Sequence, residues 1–320
     1  MYKRQTNPDA RTYVWEKIKK NYYDQGAKLF WLDVAEPEYS VYDFKNYRYQ
    51  LGSVQEVGNI YPKYYLKAFY DGMTAEGNAM PISLIRSAWA GSAKYGALVW
   101  SGDIVSSFEC FRRQVQAGLN MAIAGIPWWT TDIGGFHGAR TDDPDFHRLY
   151  IRWFEYGCFC PVMRLHGNRN PQEGYGAEQI GSGSDNEIWS FGDKAYEISK
   201  KYIFLRERLR DYIRAQMKKA HEDGTPVMRP VFYDFPTDPE SWNVEDAYLF
   251  GPDLYVAPVM EDHVTEREVY LPAGTTWFNA WTGEKYEGGQ KVTVAAPMDT
   301  IPVFVKEGAD AEKLLNIFSE

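Results

Sequence analysis

Long apolar runs are missing from this 320-residue sequence, and none approaches the roughly 18 residues that a membrane-spanning helix needs. Cysteine is scarce: Cys110, Cys158 and Cys160 are the only three. Three cysteines make no disulfide framework, and one residue between Cys158 and Cys160 is too short a spacing for a common zinc site. They read as buried thiols of a reducing compartment, which favours the cytoplasm. Positive charge is also short, with 35 Lys and Arg against 44 Asp and Glu and a net charge of −9. That balance excludes a nucleic-acid surface, which needs clustered bases. The basic stretch from Arg206 to Lys219 is broken by acids and apolar residues and reads as the solvated face of a helix. No Gly-x-Gly-x-x-Gly turn, phosphate loop or Ser-His-Asp elbow occurs. No cofactor, metal, nucleic acid or membrane partner is therefore expected.

Aromatic residues, by contrast, are plentiful at 16%, with 24 Tyr, 17 Phe and 11 Trp. Singly they mean core; together they also suit a pocket that stacks on the apolar faces of sugar rings.

The first two-thirds of the chain alternates short apolar runs with helical periodicity. Helices are expected over residues 10–23, 60–73, 108–118, 144–156 and 195–221, and strands over 27–33, 81–85, 96–100, 122–126 and 161–164. Such alternation means βαβ units and a parallel sheet. The missing dinucleotide turn and the polar residues at several strand ends favour a (β/α)8 barrel over a doubly wound sheet. Only about five strands can be counted, whereas a closed barrel has eight. Beyond Gly224 the pattern becomes short strands between turn residues, at 248–250, 253–257, 268–271, 276–278, 291–294 and 302–305. The expected fold class is thus α/β: the C-terminal part of a (β/α)8 TIM barrel over residues 1–224, then an all-β, sandwich-like domain over 225–320.

The strand ends carry the chemistry. Trp31-Leu32-Asp33 leads into Glu36-Pro37, and Trp100-Ser101-Gly102-Asp103 ends the strand two further on. Asp132-Ile133-Gly134-Gly135-Phe136, Arg86, and the pair Arg164 and His166 close other strands. Any one acid there also reads as a turn former or helix cap. In a barrel they converge on one bowl, and glycoside hydrolysis needs such a pair of carboxyl groups, one nucleophilic and one protonating the leaving oxygen. An Arg beside the nucleophile would hold it ionised, and burial among Trp would raise the pKa of the acid. His137 and His147 are expected at the surface, and Cys158 and Cys160 in the core.

These motifs, in order and spacing over about residues 6–308, resemble glycoside hydrolase family 31, which holds α-glucosidases, α-xylosidases, some α-galactosidases and α-glucan transferases. The resemblance implies that Asp33 is the nucleophile of a retaining enzyme and Asp103 its general acid/base. It implies that Arg86, Asp132, Arg164 and His166 bind the sugar and that Trp31, Trp100 and Phe136 form aromatic walls. Trp31-Leu32-Asp33 with Glu36-Pro37 is similar to the α-xylosidase branch, so the expected substrate is an oligosaccharide with a terminal α-xylosyl, then α-glucosyl, residue. An α-galactosidase, a transglycosylase or an inactive fragment are the alternatives. Family members carry a β-sandwich and three barrel strands ahead of the region matched here. A truncated reading frame is therefore expected, with targeting information and part of the pocket outside this sequence. Homo-oligomerisation of the longer protein is compatible with everything above.

Overall fold

The computed structural model describes residues 5–36, 47–170 and 184–319. They divide into two compact units, one of residues up to 102 with 124–128, the other of residues 103–123 with 129 onwards.

The first unit opens with α1, Pro8–Ile18, continued by a π-turn over Lys19–Tyr23. Asn7 caps α1 by accepting from the Asp9 amide at 2.9 Å, and Pro8 supplies a preset φ at its start. Strand β1, Phe30–Leu32, is followed by a small hairpin of β2 (Arg48–Tyr49) and β3 (Gly52–Ser53). Short α2, Val54–Val57, leads through a 3-10 turn to α3, Tyr61–Ala75, whose Tyr61, Tyr65, Leu66, Phe69 and Met73 form a buried face at helical spacing. Strands β4 (Ser83–Ile85) and β5 (Ala97–Trp100) run parallel to β1 in the order β1-β4-β5.

The second unit begins with α4, Phe108–Ile123, which runs past the expected end at residue 118. Residues 122–126 are not a strand: Val115, Gly118, Leu119 and Ala122 continue one buried helical face, and Gly125 (φ +79°) then turns the chain. The strand here is β6, Trp129–Thr130. Helix α5, Pro144–Cys158, is capped by Asp143 through the Asp145 amide at 2.9 Å. Residues 161–164 form no strand either. Pro161 has no N–H to give, and among the described residues two backbone hydrogen bonds, Val162 N to Trp129 O and Ile133 N to Arg164 O, tie this stretch sideways. The expected single helix over 195–221 is two, α6 (Asp193–Arg208) and α7 (Arg210–Asp223), broken at Leu209, which is fully buried.

After Gly224 come β7 (Met228–Arg229) and α8 (Val231–Asp234), then strands β8 (Tyr248–Phe250), β9 (Leu254–Val256), β10 (Glu266–Leu271), β11 (Thr276–Asn279), β12 (Lys285–Glu287), β13 (Gln290–Ala295) and β14 (Val303–Lys306), closed by α9 (Ala311–Ser319). Six strands form one sheet in the order β12-β11-β14-β9-β8-β7, and β10 pairs with β13 in a second. Val269, Leu271 and Val294 of the smaller sheet pack against Leu249, Tyr255, Trp277 and Phe304 of the larger. Two antiparallel sheets sharing one apolar core make a sandwich. Inside the second unit, Arg152 of α5 donates to the carbonyls of Ala296, Val264 and Pro297 at 2.7, 3.0 and 2.9 Å, and pairs with Glu155 at 3.1 Å. Cys158 and Cys160 are buried, as expected. Among the described residues no helix is long and apolar enough to cross a membrane.

Candidate active site

The strand register positions the first cluster. Leu32 pairs with Ile85 and Ile85 with Val99, so the residues one step on, Asp33, Arg86 and Trp100, stand at neighbouring strand ends. Arg86 Nη1 lies 3.2 Å from Asp33 Oδ1. The rest of the guanidinium forks onto Glu36, with Nε to Oε1 at 3.0 Å and Nη2 to Oε2 at 2.7 Å. A charged fork of this kind is stronger and more directional than a single contact. Glu36 is therefore the group that aims Arg86; its neighbour Pro37 lies outside the described residues.

Val34, next to Asp33, has φ +52°, a strained conformation for a β-branched residue. The same turn lets its N–H donate to Asp33 Oδ1 at 2.8 Å, which orients the carboxylate. Trp31 and Trp100 meet edge to face at 5.5 Å, Trp100 buried and Trp31 46% exposed. Glu36, Asn59, Ser87 and Trp89 line a cleft beside this cluster.

The second cluster starts at Asp103, which follows Gly102 (φ +77°) into a loop. Asp103 is exposed, so the burial among Trp side chains expected for it is not found among the described residues. That loop is zipped to the one after β6. Phe136 N and His137 N both donate to Ile104 O, at 2.7 and 2.9 Å, and Ser106 N donates to His137 O at 2.8 Å. Asp132 is fully buried and accepts from Arg164 Nη2, while its Oδ2 has no hydrogen-bond partner among the described residues. Burial pushes its carboxyl up to about 7; Arg164 and Arg169 oppose the rise and Asp103 adds to it. Burial likewise lowers the Arg164 pKa, with Asp132 opposing, so the same desolvation works against the charged form of each partner. Phe136 stacks on His166 at 5.4 Å.

His137 is exposed as expected, but His147 is half-buried, its Nε2 2.6 Å from Thr141 O. The residue that sequence reasoning missed is Arg169, 1% exposed and bonded to Gly135 O, Ile133 O and Asn186 Oδ1. Its only sequence signal is a lone Arg between Asn168 and Asn170, three residues past His166. Among the described residues no group of three or more His, Cys, Asp or Glu side chains is placed to hold a metal ion.

A parallel β/α layer with its polar residues at the strand ends is the build of a barrel protein, which places its site there. The comparisons agree. Residues 2–216 match the glycosyl hydrolases family 31 TIM-barrel domain and residues 224–309 the family's C-terminal domain, so the chain belongs to glycosyl hydrolase family 31. Its fold is accordingly a TIM-barrel part followed by a β-sandwich. The crystal structure of a GH31 α-xylosidase from a soil metagenome, complexed with xylose, is similar with a TM-score of 0.92 and 56% identity over 98% of this chain and 47% of that one. An α-xylosidase of Saccharolobus solfataricus is 36% identical over 306 residues, 94% of this chain and 40% of the relative. A Flavobacterium johnsoniae GH31 dextranase mutant complexed with isomaltotriose has a TM-score of 0.85 at 32% identity, over 95% of this chain and 37% of that one. The chain thus spans less than half the length of each.

Proposed function

We propose that the protein is a retaining α-glycosidase that removes terminal α-xylosyl residues, and α-glucosyl residues second, from oligosaccharides. The observation that carries this reading is Asp33, oriented by Val34 N and paired with Arg86 at the end of a parallel strand, in a chain of this family. Asp33 attacks the anomeric carbon while Asp103 protonates the departing oxygen, which gives a covalent β-glycosyl ester. Asp103 then takes a proton from water as the water oxygen bonds to the anomeric carbon, which breaks the ester to Asp33 and releases the α-sugar. Asp132, Arg164 and His166 hydrogen-bond the sugar's hydroxyls, and Trp31, Trp100 and Phe136 wall its apolar faces. Residues 1–224 are the catalytic part and 225–320 the C-terminal β-domain. The lean towards xylose rests on the 56% identity to a relative complexed with that sugar.

The test uses the polypeptide translated from the whole reading frame that contains this sequence. Hydrolysis of p-nitrophenyl α-xyloside is compared with that of the α-glucoside and α-galactoside, and the first-formed anomer is read by proton NMR. The α-xyloside should have the highest kcat/KM, and the α-anomer should appear first. Asp33→Ala should abolish turnover and accumulate no fluoroglycosyl adduct. An initial β-anomer would sink the retaining mechanism, and an Asp33→Ala enzyme with near-normal kcat would remove Asp33 as nucleophile.

A further inference from the structure

We infer that Arg169 is a positioning residue that sets Asp103 and Asp132 in register by fastening the loops that carry them; this rests on the reading of Asp103 as the acid/base. Arg169 Nη1 donates to Gly135 O at 2.8 Å and to Ser106 Oγ at 3.4 Å, and Nη2 donates to Ile133 O at 3.2 Å. The fork thus grips the 132–136 loop from two carbonyls and reaches the 103–107 loop through Ser106. Nε is held in turn by Asn186 Oδ1 at 2.8 Å, and the guanidinium lies 4.7 Å over the Phe146 ring. The neighbouring backbone is fastened to the same loop, with Asn168 N donating to Phe136 O at 2.8 Å and Asn170 N to Ala139 O at 2.7 Å.

The seat is shaped for this group. A Cβ at Gly167 would lie 2.5 Å from Arg169 Cζ, and one at Gly134 would lie 3.2 Å from Nη2. Side chains at those positions would displace the guanidinium, so the glycines leave room for it. A planar fork delivers several donors at fixed angles, which a lysine ammonium on a flexible stem cannot copy. Burying a guanidinium is costly unless its donors are met; here two of the four described partners are backbone carbonyls of a loop with candidate site residues at both ends. Asp132 and Phe136 begin and end that loop, and Asp103 begins the loop zipped to it. Nothing in the proposed mechanism brings Arg169 to the sugar, so beyond its charge on Asp132, which Arg169→Lys keeps, its action runs through those loops.

Arg169→Lys and, as a milder perturbation that keeps the arginine, Asn186→Leu are made in the whole reading frame. Active sites are titrated with a fluoroglycosyl reagent, so that misfolded protein drops out of the rate. Because misplacement of about 1 Å costs up to 100-fold, kcat per titrated site should fall about 10- to 100-fold in Arg169→Lys and less in Asn186→Leu, with KM within about threefold. Hydrogen exchange by mass spectrometry, which needs no activity, should quicken over residues 103–107 and 132–137 in both variants. Wild-type protein that hydrolyses the substrate beside variants with unchanged kcat per site would overturn the inference and leave the function standing. Inactive wild-type protein would overturn the function instead, and exchange would then decide: unaltered protection of both loops would overturn the fastening by Arg169.

Discussion

Replacing Asp132 by Asn tests the electrostatics of the second cluster at one atom. The substitution keeps the shape and an oxygen that can accept from Arg164, and it removes the titration. Asp132 is fully buried, and that burial lifts its carboxyl from 3.8 to about 7. A folded pKa raised above the unfolded one means that the contribution to stability is fully present below about pH 3.8. It is lost as pH rises through about 7. A rise of about three units corresponds to about 4 kcal/mol in all, of which about 2 to 3 kcal/mol falls between pH 5 and 7.5. Urea unfolding followed by tryptophan fluorescence, on wild type and Asp132→Asn across that range, isolates the effect as a difference between two curves. The variant's stability relative to wild type should climb by about 2 to 3 kcal/mol from pH 5 to 7.5. A constant offset from Arg164 cancels in the difference. A flat difference would show that Asp132 is ionised throughout, its charge fully matched by Arg164 and Arg169, and the desolvation argument would fail.

Glu155→Gln applies the same logic outside the site. Burial raises Glu155 to about 8 despite Arg152 at 3.1 Å and the Tyr202 hydroxyl at 3.1 Å, so its contribution is lost as pH rises from about 4.5 through about 8. Thermal melts at pH 5, 6.5 and 8 should show the variant gaining on wild type at each step, and parallel melts would refute the shift. Glu36→Gln removes the charge onto which Arg86 forks, so kcat/KM should fall about tenfold as Arg86 loses its aim. Unchanged kinetics would make that fork incidental.

The two layers of the fold were legible because periodicity reports which face is buried. Alternation and turn residues marked β10, β11 and β13 but not the three-residue β12, and the all-buried Tyr248–Phe250 and Leu254–Val256 marked themselves as apolar runs. Residues 122–126 misled because two apolar residues at the end of α4 joined Ile126 into an apparent strand, although Ala122 belongs to the buried face of the helix and Ile123 lies exposed on its last turn. Residues 161–164 misled differently, since an apolar run carries no record of how many ladder bonds it finds. At the candidate site, Asp33, Arg86, Asp103, Asp132 and Arg164 were visible as polar residues closing apolar runs. Glu36 was visible as part of its motif but its pairing with Arg86 was not, and Arg169 was not visible at all. The fork from Arg86 to Glu36 spans 50 residues, and two of the partners that hold Arg169 are backbone carbonyls, which no side-chain pattern announces.

The Gly134-Gly135 pair is the position at which the local and the tertiary explanations separate. Read along the chain, two glycines mean a turn, and Gly135 does take φ +80°. Backbone freedom alone would allow Asn there, since Asn tolerates the left-handed region. Packing does not allow it: a Cβ at Gly135 would stand 2.7 Å from Ser106 Cα, a contact with backbone that no rotamer can relieve. Gly135→Ala and Gly135→Asn should therefore be similarly damaging, each pushing the 103–107 loop away and loosening the hydrogen bonds from Phe136 N and His137 N to Ile104 O. Strain and overpacking of this order cost about 1 to 3 kcal/mol each. The comparison is read in urea midpoints and in hydrogen exchange over residues 103–107. Were Asn tolerated and Ala not, the turn would be the whole reason for glycine at this position. If both fail together, the residue is there because the loop carrying Asp103 must pass within contact of its Cα.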